Sequence, residues 1–170
     1  NDKYINNLKQ LVGSMVLYNP TGTIEIVDLG LSNQSIAAIK AWTTPTINIT
    51  IIPFHFEKYP PHVHDLSTYA FKILAIQEGL TRHPSGLLWI DAGRVTRTLS
   101  RAWREIASDE GMFFLALLPT SSGIHPFPWG NSAYHHNETM KRVGLESVNV
   151  KLTQCDGAVQ GWSKHGSFYN

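Results

Sequence analysis

The chain is poor in the features that mark several large protein classes. It has one cysteine, Cys155, among 170 residues, so it can form neither an internal disulfide nor a zinc site made of several thiolates. Charged side chains make up only 16% of the residues, and the formal net charge is +1 with the basic residues scattered. Neither a nucleic acid nor an anionic membrane surface is therefore an expected partner.

Long apolar runs are also missing. No run approaches the roughly 20 residues that cross a bilayer, so we expect no transmembrane segment in this chain. The first residues, NDKYINNLKQL, lack the basic leader and the apolar core of a signal peptide. Helical spacing begins already at Asp2, and the last residues carry no capping signal, which leads us to expect a fragment of a longer protein.

The chain does contain a composition that can form a core. Hydrophobic residues make up 42% of it, which is enough for one globular domain. Apolar periodicity predicts helices over 2–16, 34–42, 67–80 and 96–109, and strands over 23–27, 46–54, 87–90, 112–118 and 148–152. Strands that alternate with helices predict an α/β fold with a mainly parallel sheet and helices on both faces. Beyond residue 118 the sequence is rich in turn-forming residues, aromatics and histidines, a composition that is typical of functional loops.

Two apolar runs end abruptly on an aspartate. IEIV is followed by Asp28, and LLWI is followed by Asp91. Ligands of parallel α/β sheets collect at the carboxyl ends of the strands, so both carboxylates are candidate ligand contacts, on one rim if the two strands are parallel neighbours. The alternative is that each aspartate caps its own following turn through the backbone, as aspartates at loop starts often do.

An ordered set of motifs resembles a known fold family. VDLGLS, FEKYPPHV, STYAFKILAIQEGL, GLLWIDAG, NETMKRVGL and TQCDGAVQGW follow one another along the chain. This order resembles nucleotide-sugar-dependent glycosyltransferases of the GT-A fold. More narrowly, it is similar to eukaryotic glycosyltransferase-like families with the pattern DLGL... YP.HV... YA.K... LW.DAG. The resemblance runs from about Asn7 to Trp162.

The resemblance implies a single Rossmann-like domain over residues 1–170, with the donor side at 1–118 and the acceptor side at 119–170. The first donor-binding strand of such a fold is expected before the first helix. The implied reaction transfers a sugar from a nucleoside diphosphate-sugar to a hydroxyl of a glycan or protein. Such enzymes act in the Golgi or endoplasmic reticulum lumen or outside the cell. Three Asn-x-Ser/Thr sequons, at Asn33, Asn48 and Asn137, slightly favour a glycoprotein of the secretory pathway.

The resemblance places Asp91-Ala92-Gly93 at the D-x-D motif, whose carboxylates contact the donor ribose and hold Mn²⁺ or Mg²⁺ across the diphosphate. The second acid is absent here, because Gly93 occupies its position. Three interpretations follow: Asp91 holds the ion with other groups, cations replace the ion, or the domain has lost catalysis. Gly93 would in each case let a donor approach the backbone closely.

Basic residues surround this motif in sequence. Arg94 and Arg97 follow it, and the resemblance assigns Lys72, in STYAFK, to a cation that contacts the donor. A cation aimed at the diphosphate would supply part of the electrostatic stabilisation that a metal gives. The alternative for Lys72 is a solvated helix face.

The remaining candidates lie late in the chain. The resemblance places Asp156, in TQCDGAVQGW, beside the reacting sugar, where a carboxylate orients a hydroxyl or acts as a base; the alternative is an Asp-Gly turn. His165 is a weak candidate for a late metal ligand. Candidates for the acceptor side, each with a structural alternative as a loop or core residue, are Trp129, His135, His136 and Trp162, with His125 and Tyr134 nearby.

Two other function classes stay open. One is a non-catalytic GT-A scaffold that binds carbohydrate or protein, which the glycine at position 93 favours. The other is a metal hydrolase that uses His62, His64 and Asp65, although the hydrolase pattern H-x-H-x-D-H fails at Leu66 and Ser67. The alternative for these two histidines is capping or packing within a loop.

Overall fold

The computed structural model describes residues 1–19, 21–116 and 155–167. The chain divides into two compact units, Asn1–Phe113 with Gly161–Asn170, and Phe114–Gln160. The second unit thus begins near the predicted change at residue 118. Residues from Gly161 onward belong to the first unit, whereas the sequence pattern had placed them on the acceptor side.

The described residues form a mixed α/β fold. Their α-helices are α1 (Ile5–Tyr18), α2 (Asn33–Lys40), α3 (Ala70–Arg82) and α4 (Ser100–Ile106). Their strands are β1 (Gly22–Asp28), β2 (Ile47–Pro53), β3 (Leu87–Ile90), β4 (Met112–Ala116) and β5 (Cys155–Trp162). Even α1, with 14 residues the longest of these helices, is shorter and less apolar than a bilayer-spanning helix must be.

The strands form two sheets instead of the predicted mainly parallel one. β1 and β2 pair in parallel, with Gly22 opposite Ile47 and Asp28 opposite Pro53. The second sheet is antiparallel and has the order β3-β5-β4. The described strands thus form one parallel pair and one antiparallel sheet, with β5 between β3 and β4, and the α/β class is the part of the prediction that they confirm. Periodicity had predicted β3 and β4 but had left TQCDGAVQGW as a compact segment or a turn.

The first core joins α1 and α2 to the parallel pair. Its buried members come from all four elements: Val12, Ile26, Ile39, Ile47 and Ile49. Apolar residues at helical spacing place one face of α1 on β1 and β2, where strand residues two apart share a face. α2 begins after Ser32, whose hydroxyl accepts from the backbone N–H of Ser35, the usual helix N-cap bond.

The second core lies under the start of α3. Phe54, Val63, Phe71 and Ala75 are its buried members. The ring of Phe54 stacks on Tyr59, with centroids 5.4 Å apart, and meets Phe71 edge to face at 6.5 Å. Such aromatic pairs add stability beyond their burial and fix the path of the loop from β2 to α3.

That loop contains three short 3-10 turns, Phe56–Lys58, Pro61–His64 and Leu66–Thr68. The carboxylate of Asp65 accepts from the N–H and hydroxyl of Ser67, so it caps the last of these turns. Because Tyr69 then departs from helical geometry, α3 starts at Ala70 and not at the predicted residue 67. α4 is likewise shorter at both ends than the predicted 96–109.

The residues after β5 bond to the segments that precede β3 and β4, its two neighbours in the sheet. Ser163 donates its N–H to the carbonyl of Gly111, before β4, and Lys164 donates to that of Pro84, before β3. Gly166 lies against Gly111 and Glu110 so closely that an added Cβ would stand 2.3 Å from the Glu110 carbonyl oxygen. A larger residue at 166 would force these backbones apart.

Candidate functional site

Asp91 follows the last residue of β3 and has both carboxylate oxygens bound by side chains. The indole Nε1 of Trp89 donates to Oδ1 at 2.6 Å, and the ammonium of Lys72 donates to Oδ2 at 2.8 Å. Trp89 precedes Asp91 by two residues, so both side chains leave the strand on the same face. The two bonds fix the plane of the carboxylate.

Lys72 reaches this carboxylate from α3. Its side chain is 14% exposed and that of Asp91 33% exposed, so the pair is only partly open to water. The alternative of a solvated helix face is therefore wrong for Lys72. Its charged end meets the Asp91 carboxylate, so burial of the ammonium is accompanied by pairing with an opposite charge. The structure thus brings together two of the predicted donor residues, 19 positions apart in sequence.

The first residue before α3 has an unusual backbone. Tyr69 has φ 56° and ψ 10°, and among the described residues it alone combines a positive φ with a side chain other than hydrogen. Its side chain is 64% exposed, so burial of the ring does not offset the strain of this conformation. The Lys72 ammonium lies 5.5 Å from the ring centroid, within range of a cation–π contact. Backbone strain of this kind collects at functional sites.

Tyr69 and Trp89 are site residues that the sequence reasoning missed. The motif STYAFK contains Tyr69, but apolar periodicity places it inside the predicted helix 67–80 and gives it no separate role. Trp89 had a usable signal, because its spacing of two from Asp91 in a strand predicts side chains on one face. The left-handed backbone of Tyr69 had no such signal, since tyrosine does not favour that conformation.

The segment after Asp91 turns sharply and is anchored to α1. Arg94 donates its backbone N–H to the Asp91 carbonyl at 3.1 Å, which closes a turn around Ala92 and Gly93. A Cβ added to Gly93 would meet no atom within 4 Å. Further along, the buried hydroxyl of Ser14 accepts from the N–H of Thr96. This bond holds the far end of the turn on a rigid helix.

A second anchor reinforces the first. The side-chain amide of Asn19 donates to the carbonyl of Arg97 at 2.8 Å and accepts from the N–H of Leu99 at 2.9 Å. Ser14 of α1 and Asn19, the residue after α1, therefore hold residues 96–99 in place. Arg94 and Arg97 themselves are exposed.

Asp28 has a different environment. Its Oδ1 accepts from the backbone N–H groups of Gly30 at 2.8 Å and Leu31 at 2.6 Å. It thus caps its own turn, as the structural alternative proposed. β1 and β3 belong to different sheets, so the expectation of neighbouring parallel strands is wrong. Leu29, next to Asp28, and Trp89 nevertheless pack against the same core around Phe54.

Other predicted residues lie away from Asp91 or outside the described residues. His165 is exposed and follows Lys164, which bonds Pro84 before the start of β3, whereas Asp91 follows its end. Trp162 likewise lies near Gly86, before β3 begins. Asp156 and Gly157 lie within β5, so the alternative of an Asp-Gly turn is wrong, and the Asp156 side chain is outside the described ones. Trp129, His135 and His136, with His125, Tyr134 and the predicted strand 148–152, also lie outside the described residues.

The described side chains do not fit a divalent cation site. They contain no group of three acids, histidines or cysteines placed to share an ion. Asp91 is the one acid of the D-x-D position, and its oxygens already accept from Lys72 and Trp89. Protein sites for Mg²⁺ usually combine one or two carboxylates with waters and substrate phosphates, so what disfavours an ion here is that protein donors already bond Asp91.

The described residues do not fit a zinc hydrolase site either. His62 and His64 are both exposed and belong to one 3-10 turn, in which residues two apart point in different directions. The ring of His64 packs at 5.3 Å from that of Phe56, and Asp65 serves as a cap. His64 thus packs within the loop, as the alternative for the histidines has it, whereas the capping group is Asp65.

An ionic cluster fixes the other end of α3. Glu25 of β1 accepts from Arg82, through Nε and Nη2, and from His83 Nε2 at 2.8 Å. Partial burial raises the pKa of Glu25, but the hydrogen bonds and charges of Arg82 and His83 outweigh burial, so its pKa lies below the usual range. The cluster thus ties α3 to β1, while Lys72 ties the beginning of α3 to β3.

Comparison with known proteins identifies one similarity. A family described as "Protein of unknown function (DUF1647)" matches residues 1–77, which include Tyr69 and Lys72 but not Asp91. No curated protein and no solved structure matches the chain.

Proposed function

We propose that this chain is a glycosyltransferase-like domain that binds a nucleoside diphosphate-sugar at the end of β3 and transfers the sugar to a hydroxyl acceptor. The fold proposed for it is a GT-A-like one. The supporting observation is the 2.8 Å contact between Lys72 and Asp91. The resemblance assigns these two residues to the donor independently of each other, and they meet at one point.

The geometry suits the first requirement of such a reaction, which is a cation beside a fixed carboxylate. The ammonium of Lys72 faces the developing charge of the diphosphate, and Asp91 orients the ammonium and a ribose hydroxyl. Preorganised charges of this kind lower the barrier because they need not reorganise during the reaction. Arg94 lies on the turn that begins at Asp91 and adds a second positive charge to the same segment.

The reaction itself breaks the bond between the sugar anomeric carbon and the phosphate oxygen. The nucleoside diphosphate leaves with the electron pair of that bond, and the acceptor oxygen forms the new bond to the anomeric carbon. The hydroxyl proton passes to a base. The resemblance makes Asp156 the candidate for that base, in the role that carboxylates often fill.

Calorimetric titration with UDP, GDP, CDP and ADP tests the donor site. We expect one nucleotide to bind wild type and to bind Asp91→Asn at least about tenfold more weakly, a loss of about 1.4 kcal/mol. Asp65→Asn is the matched control, because it removes an exposed carboxylate that only caps a turn. Equal binding to wild type and Asp91→Asn would contradict the assignment of Asp91 to the donor.

A second measurement separates the enzyme from a scaffold without catalysis. Slow hydrolysis of the matching nucleotide-sugar by wild type, lost in Asp91→Asn, supports a transferase. Nucleotide binding without release of sugar, even with hydroxyl acceptors present, favours the non-catalytic scaffold that the glycine at position 93 suggests.

A further inference from the structure

We propose that Lys72 takes the place of the divalent cation, so that this site binds the diphosphate of its nucleotide without metal. The inference rests on the proposed function and names the means by which the same site neutralises its ligand. It starts from a mismatch: the motif resembles a metal-binding D-x-D motif, but the side chains around Asp91 are not those of a metal site.

The first argument is the bonding of Asp91. Its two oxygens accept from Lys72 and Trp89 at 2.8 and 2.6 Å. An ion that used Asp91 would displace a charge-assisted bond from a side chain that is only 14% exposed. Removing one partner of such a pair is strongly unfavourable, because the remaining charge stays partly buried. The carboxylate is thus already neutralised by a protein cation.

The second argument is the glycine at position 93. A metal bridged between two carboxylates needs the second acid, and Gly93 supplies no side chain. The space is open, since an added Cβ would meet nothing within 4 Å, and Gly93 does not have a positive φ. An aspartate would therefore fit here without strain. Nothing in the local packing requires glycine, so the missing acid can be restored as a test.

The third argument is the fixed position of the Lys72 ammonium. Asp91 holds it on one side, and the Tyr69 ring lies 5.5 Å away on another. An ammonium has three donor hydrogens, so its bond to Asp91 does not by itself exclude contact with phosphate oxygens. Because the Lys72 ammonium is partly shielded from water, it attracts a diphosphate more strongly than a solvated lysine does.

The test is calorimetric titration of the nucleotide that binds wild type, with manganese and with EDTA. We expect wild-type affinity to differ less than about twofold between the two conditions, and Lys72→Met to bind at least about tenfold more weakly in both. Lys72→Arg keeps the charge and should retain metal-free binding. Circular dichroism of each variant checks that a loss does not come from unfolding.

Gly93→Asp sharpens the test by restoring the second acid. Combined with Lys72→Met, which frees Asp91 from the ammonium, Gly93→Asp should bind the nucleotide at least about tenfold more tightly with manganese than with EDTA. Gly93→Asn, of the same size without the charge, is the matched control and should show no dependence on manganese. Manganese dependence that appears only with the aspartate supports Lys72 as the substitute cation.

Three results overturn the inference. Wild type that binds only with manganese, or Lys72→Met that binds as wild type in EDTA, removes Lys72 from this role but leaves the proposed donor site intact. Absence of binding by any of the four nucleotides under both conditions removes the proposed function, and the inference with it.

Discussion

The ends of β1 and β3 make an informative comparison, because apolar residues at each strand end are directly followed by an aspartate. The carboxylate of Asp28 accepts from backbone N–H groups two and three residues ahead. The carboxylate of Asp91 accepts from two side chains, one of them on a distant helix. The first arrangement satisfies a turn and nothing more. The second joins α3 to the end of β3 and places a cation and a carboxylate side by side, as a site for a charged ligand requires.

The largest expected change in stability comes from removing the Asp91 carboxylate. Asp91→Ala leaves the Lys72 ammonium partly buried without its carboxylate, so we expect the free energy of unfolding to fall by about 2 kcal/mol. Urea denaturation measures it. Adding Lys72→Met should recover part of that loss, because the partly buried ammonium that lost its carboxylate is then removed as well. A double mutant that is less stable by the sum of both single effects would show that the pair is not coupled.

Asp28 should behave differently. Asp28→Ala removes a backbone cap and should lower the free energy of unfolding by about 1 kcal/mol. Asp28→Asn keeps an acceptor oxygen and should lose less. Because the role of Asp28 is local, neither variant should change nucleotide affinity in the same calorimetric titration. A fall in affinity comparable to that of Asp91→Asn would place both aspartates in one site.

Tyr69 offers a smaller effect with opposite signs for stability and binding. Tyr69→Gly relieves the left-handed backbone and should raise the free energy of unfolding by about 0.5–1 kcal/mol. Tyr69→Ala keeps the strain and serves as the control, since both variants lose the ring. If the strain exists to present the ring to a ligand, both variants should bind the nucleotide more weakly. Unchanged affinity in both would confine Tyr69 to a structural role.

The smallest effect concerns the cluster at the other end of α3. The pKa of Glu25 is lowered in the folded protein, so its contribution to stability is present above the ordinary carboxyl pKa of 4.5 and is lost as pH falls through the lower folded value. Glu25→Gln should flatten the fall in unfolding free energy below about pH 5, by an amount on the order of 1 kcal/mol or less. Glu105→Gln, in an exposed pair on α4, is the control. An equal slope in wild type and Glu25→Gln would exclude this linkage.

Much of the secondary structure could be predicted from the sequence. The strand predicted at 87–90 has those bounds in the structure, and the strands predicted at 23–27 and 46–54 differ by one residue at each end. β-branched and apolar runs bounded by turn residues carry enough local information for this. Helix ends were less predictable, as at Tyr69, where capping by Asp65 and an atypical backbone delay α3.

The candidate site was only partly predictable. Asp91 and Lys72 came from motif resemblance, and Trp89 was available from strand spacing. β5 was not predicted, since Asp156-Gly157 is a local turn signal that pairing with two neighbouring strands overrides.

The sequence by itself determined, among the described residues, the four helices, the first four strands and the two strands that end on a carboxylate, because these properties depend mostly on near neighbours along the chain. Only the tertiary structure decided that Asp28 serves its own turn and that Asp91 meets Lys72. Which polar group satisfies a carboxylate depends on what packing brings within about 3 Å of it. For Asp28 those groups follow directly in the sequence, whereas for Asp91 one of them arrives from α3, across 19 residues of chain.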